Sequence, residues 1–202
     1  MNSYRPIVFS ALMMVFAGCS ESPKKKVAEK PAEPVTGSHA LFQMYTSARA
    51  WAQDLQILRM TSINLPAVKT MPGRAAAWQV TFVSPGLSQS RTYTYSVVEA
   101  SVTLRKGIFS ENPRSWGGAS GSEKPFLIAA VKVDSDDAYQ TALKKAADYD
   151  TKHPGMTMSY LLELNDRFPD AVWRVIWGES ASTSGFSVFV DASTGAYLEK
   201  LT

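Results

Sequence analysis

At 202 residues, 45% hydrophobic and 19% charged, the chain is long enough for one domain or two small ones, and its composition excludes a collagenous, coiled or wholly disordered protein. Five of the 21 basic residues and three of the 18 acidic ones precede Ser38, so 16 Lys and Arg face 15 Asp and Glu beyond it. That net charge of +1 leaves no electrostatic footprint for nucleic acid, and a single cysteine rules out an internal disulfide.

The N-terminal stretch accounts for that cysteine. Arg5 supplies a short positive region, Ile7 to Phe16 form an apolar run of ten, and Val15-Phe16-Ala17-Gly18 leads directly into Cys19. Spanning a bilayer takes about twenty apolar residues, so the run is short for a mature membrane helix. The pattern resembles a bacterial lipoprotein signal, in which an apolar residue, a spacer and a small residue precede Cys. The resemblance implies removal of residues 1–18 and a new N-terminal Cys19 carrying thioether-linked diacylglycerol and an amide-linked acyl chain such as palmitate. At about 0.8 kcal/mol per buried methylene, several chains anchor a protein stably to a membrane. Ser20 rather than Asp follows the cysteine. In lipoproteins of double-membraned bacteria Asp at that position commonly retains the protein at the inner membrane, so the resemblance favours the outer membrane if the host has one. Either way the domain faces the periplasm or the exterior.

Residues 19–37 hold Pro23, Pro31 and Pro34 among Lys, Glu and Ala, with little apolar content to bury, and read as a flexible tether. Lys24 to Lys26 read as a solvated charge run in preference to a head-group contact.

Residues 38–124 form a first unit. Leu41, Met44, Tyr45, Ala48, Ala52 and Leu55 recur at helical spacing, with Trp51 at the edge of the stripe and Ser38 available as N-cap. A strand over Leu58 to Ile63 stops before Pro66, Pro72-Gly73 marks a turn, and Trp78, Val80 and Phe82 alternate with polar neighbours in a second strand. Ser84-Pro85-Gly86 breaks it, and Thr92 to Ala100 form a third, with Tyr93, Tyr95 and Val97 on one face. Ser101 to Lys124 make a long Gly- and Ser-rich connection carrying Trp116, of a length that is either functional or disordered.

Residues 125–202 form the second unit. After an apolar strand at Phe126 to Val133, Asp134-Ser-Asp-Asp137 opens a helix, since acidic side chains suit the positive end of its dipole. Its buried stripe is Tyr139, Ala142, Leu143, Ala146 and Tyr149, and His153-Pro154-Gly155 ends it. Alternation then predicts strands through Met156 to Leu164, Val172 to Trp177 and Phe186 to Val190, before Asp191-Ala-Ser-Thr-Gly195 turns the chain into Tyr197-Leu198. Ala76-Ala-Trp-Gln-Val-Thr-Phe82 matches Ala171-Val-Trp-Arg-Val-Ile-Trp177 at an offset of 95, and Glu99-Ala100-Ser101 matches Asp191-Ala192-Ser193 at 92. The two offsets imply a hairpin loop three residues shorter in the second unit. The fold class expected is α+β, two tandem units of a helix and an antiparallel sheet (αβββ).

The helix ending in His153-Pro154-Gly155, the Trp173-Arg174-Val175 strand and the Val190-Asp-Ala-Ser-Thr-Gly195 turn together resemble the PepSY domain family. The match covers Ser135 to Leu201 and extends more weakly to the first unit. The turn itself is legible, because Asp and Ser can bond their own backbone and Gly195 supplies a positive φ. PepSY-like domains occur in propeptides of thermolysin-like peptidases and in many lipoproteins. The resemblance therefore implies a helix packed on an antiparallel sheet, binding of a protein or peptide, restraint of a peptidase among the roles, and no catalysis.

Residue chemistry points the same way. There is no Gly-x-Ser-x-Gly elbow, and His39 and His153 lie at helix ends with no further ligands to complete a zinc set. Asp134, Asp136 and Asp137 lack the Gly and distal Glu of a calcium loop and read as caps; Asp148 and Asp150 at a helix end read as solvated. No catalytic residue, metal or cofactor is expected. Trp173 and Trp177 share a face with Val175 and are expected in the core. The opposite sheet face differs between the units: Thr81, Thr92, Thr94 and Ser96 in the first, Leu161, Ile176 and Phe189 in the second. Apolar side chains on the helix-free face call for a cover, either the first unit or the Trp116 loop within the chain or else a partner, and on the second reading Leu161, Ile176, Phe189 and Trp116 are the candidate partner-binding residues. The alternative role is an envelope structural or assembly factor holding another protein by that face.

Overall fold

The fold rests on two tryptophans, Trp78 and Trp173, each in the middle strand of one half and each fully buried. A buried indole needs a partner for its N–H. Trp78 donates to the carbonyl of Val35 (3.0 Å) and Trp173 to that of Val133 (2.9 Å), in each case the residue just before a helix N-cap. The strand core thereby places the start of the helix above it. The two rings also meet edge to face, 6.1 Å apart.

In this computed structural model the described residues are 31–202 without 103 and 120–122, so the stretch read as a lipoprotein signal, Cys19 and most of the expected tether lie outside them. Pro31–Thr202 form one compact unit. The first half runs through β1 (Val35–Thr36), α1 (Gly37–Ala48), β2 (Gln56–Ile63), β3 (Arg74–Ala75), β4 (Ala77–Ser84), β5 (Gln89–Ser96), β6 (Gly107–Ser110) and β7 (Arg114–Ser115). The second runs through α2 (Ser135–Lys152), β8 (Met158–Glu163), β9 (Val172–Trp177), β10 (Phe186–Asp191) and β11 (Tyr197–Leu201). The architecture is α+β, and in each half a helix precedes four sheet strands, β2, β4, β5 and β6 in the first and β8, β9, β10 and β11 in the second, one strand more than the expected αβββ order.

The halves share one nine-stranded antiparallel sheet ordered β11-β10-β9-β8-β2-β4-β5-β6, with β7 also pairing with β5. They join where β2 pairs with β8, Met60 opposite Leu162 and Thr61 opposite Leu161. Aligning β4 with β9 makes Met60, which faces Val80, equivalent to Tyr160, which faces Val175. By the same step of 100 Thr61 corresponds to Leu161, its own partner across the junction. An approximate two-fold axis therefore pierces the sheet at this pair.

The helices obey the repeat at a third offset. Gly37, Ala40, Leu41, Met44 and Ala48 are the buried residues of α1, and Ser135, Ala138, Tyr139, Ala142 and Ala146, each 98 further on, are those of α2. Both helices lie on the same sheet face, and their N-termini meet at the axis. There Gly37 donates its N–H to Ser135 Oγ (2.7 Å), which donates in turn to the Gly73 carbonyl (2.5 Å). Asp134 Oδ1 accepts from Ser38 (2.8 Å) and from Ser135 (2.7 Å), so one carboxylate serves the positive ends of both helices. A perfect two-fold is impossible here: a Cβ on Gly37, the equivalent of Ser135, would lie 2.6 Å from Cη2 of Trp173.

Several expectations are revised. Helix α1 stops at Ala48, so Ala52 and Leu55 of the expected stripe lie beyond it in the connection to β2. The N-cap of α1 is Thr36, whose Oγ1 accepts from His39, while Ser38 lies within the first turn and gives its N–H to Asp134. Phe126 to Val133 is not a strand: only Phe126 bridges Ile57, and Ile128–Ala130 form a 3-10 turn. Both edges of β2 are occupied by β4 and β8, leaving only the end at Ile57 free. The hairpin loops are equally long, since Phe82 faces Arg91 and Trp177 faces Phe186, the same offset of 95 on both strands. Finally, the third strand of the first half ends at Ser96 rather than Ala100.

The β4–β5 turn is held from outside. Asp54 accepts from Ser84 Oγ (2.5 Å) and from the Gly86 N–H (2.6 Å), and these bonds hold its carboxyl below the usual value of 3.8. A depressed native pKa contributes stability above the unfolded pKa and loses it as pH falls through the native one. Asp54→Asn should therefore show a shallower loss of stability below about pH 4, read from urea midpoints across an acid series. Superimposable acid limbs would show that the carboxylate contributes nothing.

Candidate functional site

On the helix-free side the sheet is polar over the first half. Thr81 and Thr92 share a hydroxyl hydrogen bond (3.2 Å), and the Gln79 amide reaches Thr94 Oγ1 at 3.5 Å. Over the second half the same face is apolar but covered. Leu161, Ile176 and Phe189 are 3%, 2% and 2% exposed.

Two loops and two arginines make the cover. Phe168 packs on Phe189 with ring centroids 5.0 Å apart, and the Arg167 and Arg174 guanidinium groups lie 5.3 and 5.4 Å from the Phe189 centroid. Arg167 is tied to Glu199 at 2.7 Å. Arg174 donates Nε–H to Ser187 Oγ (3.0 Å) and Nη2–H to the Ala181 carbonyl (3.4 Å). Burial lowers its pKa below the ordinary guanidinium value, opposed by the nearby Glu163 carboxylate. The Gly178–Gly185 loop is fastened beneath by Ser159 Oγ to the Gly178 carbonyl (2.7 Å) and by Ser184 Oγ to the carbonyls of Trp177 and Phe186 (2.8 and 2.7 Å). The apolar trio is thus a small second core, and what a partner can touch is the polar layer above it.

One gap remains in that cover, at the two-fold axis. A cleft of about 220 Å³ is lined by Arg59, Thr61, Leu161, Ile176, Glu179 and Ala181, among others. An adjoining hollow of about 330 Å³ continues past Asn64 and Thr157, and Ser62 and Glu179 border both. The groove follows β2 from Arg59, which pairs with Glu123 at 3.2 Å, to Asn64, whose amide donates to the Met158 carbonyl at 2.7 Å. Its cleft is smaller than the roughly 300–1,000 Å³ of drug-sized sites, and suits one or two side chains. Trp116 is not brought to this place. It follows β7, across β2, β4 and β5 from Leu161, and its backbone N–H donates to the Ser88 carbonyl at 2.9 Å.

The remaining perturbed groups have structural duties. The Tyr160 hydroxyl accepts from the Gly73 N–H at 2.7 Å, and burial pushes its phenol upward. Burial likewise raises Tyr93 and Tyr139. Among the described residues no group of His, Cys, Asp and Glu is placed to hold a metal ion. No helix of the described residues is long and apolar enough to cross a membrane. The groove residues Arg59 and Glu179 carried no signal in the sequence, since each reads as an ordinary surface charge; only the junction of β2 with β8 makes them neighbours.

No family model matches the chain. No curated protein matches it either. Among solved structures the chain is similar to the crystal structure of a "putative lipoprotein" from Clostridium difficile 630, at 9% identity over 86% of this chain and 95% of that one, with a TM-score of 0.46.

Proposed function

We propose that the chain is a lipid-anchored binding protein of the bacterial cell envelope, without catalysis of its own, that holds an extended segment of a protein partner against the helix-free face of its sheet. The observation that carries this reading is the groove over the β2–β8 junction, with an arginine, a glutamate and several hydroxyls around an apolar floor. Because both edges of β2 and β8 are already paired, a segment lying across this face is held through side chains seated in the cleft and polar contacts along its rim rather than by strand addition. The Val15-Phe16-Ala17-Gly18-Cys19 sequence supports the anchor. The PepSY-like residues from Ser135 onward support restraint of a peptidase as the specific role, with assembly of another envelope protein as the second reading.

The anchor and the groove are tested separately. Cys19→Ala should move nearly all of the protein out of the membrane fraction or stall its processing, followed by immunoblotting of fractionated cells. Undiminished membrane association of that variant contradicts lipidation. A photo-crosslinking residue at Thr61 should capture a discrete partner in cells. A peptidase in that adduct supports restraint, a structural envelope protein supports assembly, and a blank at Thr61 with capture elsewhere rejects the groove.

A further inference from the structure

The internal two-fold also shows where the halves differ in kind. In the second half Tyr149 of α2 stacks on Phe186 of β10, centroids 4.2 Å apart and planes within 10°, and Trp177 meets Phe186 edge to face at 5.3 Å. This aromatic stack closes the end of the core. The offsets of 98 for helices and 95 for strands assign its counterparts: Trp51 for Tyr149, Arg91 for Phe186 and Phe82 for Trp177. A neighbouring pair changes in step, because Trp177 donates its N–H to Asp150 Oδ1 (2.9 Å), whereas Phe82 has no N–H and the equivalent of Asp150 is the buried Ala52. The first half is therefore a coherent variant of the same structure.

With arginine in place of the stacking phenylalanine, and α1 ending six residues short of its counterpart's length, that end of the first half is open. A hollow of about 490 Å³ is lined by Trp51, Arg91, Tyr93, Ser47 and Ser110, on the helix side and away from the groove. Arg91 is half-buried and lies over the Tyr93 ring, 5.3 Å from its centroid. Its Nε–H donates to the Glu111 carbonyl and its Nη2–H to Ser110 Oγ, both at 2.8 Å. Both acceptors are neutral, and the Glu111 carboxylate is engaged by Arg114 at 3.0 Å. These two bonds use two of the five guanidinium N–H groups, and the Tyr93 hydroxyl is a further polar neighbour of the same fork. The fork is thus fixed in place by its two bonds while its charge and its other donors remain available at the hollow.

We infer that the Trp51–Arg91 hollow is a binding site for a carboxylate borne on, or within two carbons of, a ring with an apolar face, the ring lying against Trp51 and the carboxylate on Arg91. Fixed guanidinium forks bind carboxylates by paired charge-assisted hydrogen bonds, and an indole face takes up flat apolar surface. A carboxylated sugar and the C-terminus of a peptide ending in an aromatic residue both present this chemistry. The inference does not depend on the groove or on its partner.

The test uses the full chain, lipidated and held in detergent micelles, with ¹⁵N-labelled tryptophan so that each of the five indoles reports separately. Glucuronate and N-acetylphenylalanine are titrated beside their neutral counterparts, glucose and N-acetylphenylalanine amide. At least one acid should shift the Trp51 signal saturably, with its neutral counterpart about tenfold weaker or more; the acid that binds identifies the source. Arg91→Phe, which installs the residue of the second half, and Arg91→Gln, which keeps a polar group there, should each abolish the shift while the Trp78 and Trp173 signals stay native. No shift with either acid, equal shifts with the neutral compounds, or undiminished binding in both natively folded variants would overturn the site.

Discussion

Replacing Gly73 with alanine should cost more than about 3 kcal/mol, enough to place it in the severe tail of single substitutions. Gly73 sits at φ +72 beside the helix junction, and an added Cβ would overlap the Cα of Asp136 and lie 2.7 Å from its backbone nitrogen. The obstacle is the backbone of α2's first turn, which cannot yield without disturbing the cap that serves both helices. Moving Gly73 away also breaks its N–H bond to Tyr160 and its carbonyl bond from Ser135. Each such bond contributes about 1 kcal/mol, more if a buried partner is left unsatisfied. Gly155 is the control: it has a similar φ of +74, but a Cβ added there would meet nothing within 4 Å. Gly155→Ala should cost only about 1 kcal/mol, the penalty of the left-handed conformation alone. Urea unfolding of the two variants separates clash from conformation, and equal midpoints would refute the crowding at Gly73.

Trp173→Ala should cost about 3–5 kcal/mol, the usual range for emptying a large buried aromatic site. The more informative variants are Trp78→Phe and Trp173→Phe, which keep most of the volume but remove the N–H groups bonded to Val35 and Val133. Each leaves a carbonyl at a helix start without its partner, a loss of about 1–3 kcal/mol. Because the two indoles touch, the double variant should depart from additivity by about 0.5 kcal/mol or more. Denaturation should remain a single transition, since one sheet and one core run through both halves. Strict additivity together with two resolved transitions would mean that the halves fold independently.

Both experiments address a junction that local pattern could not reveal. Strand alternation is written into neighbouring residues, so the strands around Trp78, Trp173 and Phe186 and the core position of the tryptophans were legible. Helix α2 was equally legible through Asp134 at its start and His153-Pro154-Gly155 at its end. The repeat was visible at 95, but reading Glu99-Ala100-Ser101 against Asp191-Ala192-Ser193 placed a deletion in a hairpin that has none. The mismatch arises in the stretch after the third strand, where the first half takes residues 97–106 to reach β6 and the second takes residues 192–196 to reach β11.

The helix-free face shows the same division. That Leu161, Ile176 and Phe189 share a side apart from the helix follows from period two alone, and it holds. What covers them does not follow, because the loops around Phe168 and Ala181 have no periodicity to announce that they fold back, and an arginine reads as solvent-facing until its bonds are seen.

The sequence by itself determined the two helices and the central strands, their faces, the doubled order of a helix before antiparallel strands and the expectation of a lipid at Cys19, because each depends on residues close together in the chain. The tertiary structure decided the β2–β8 junction, the shared cap at Asp134, the groove over the axis and the open Trp51–Arg91 hollow. Each of these joins residues from separate elements, and strand edges and helix ends carry backbone groups that any register can offer to a partner, so the pairing is chosen only when all the elements pack at once.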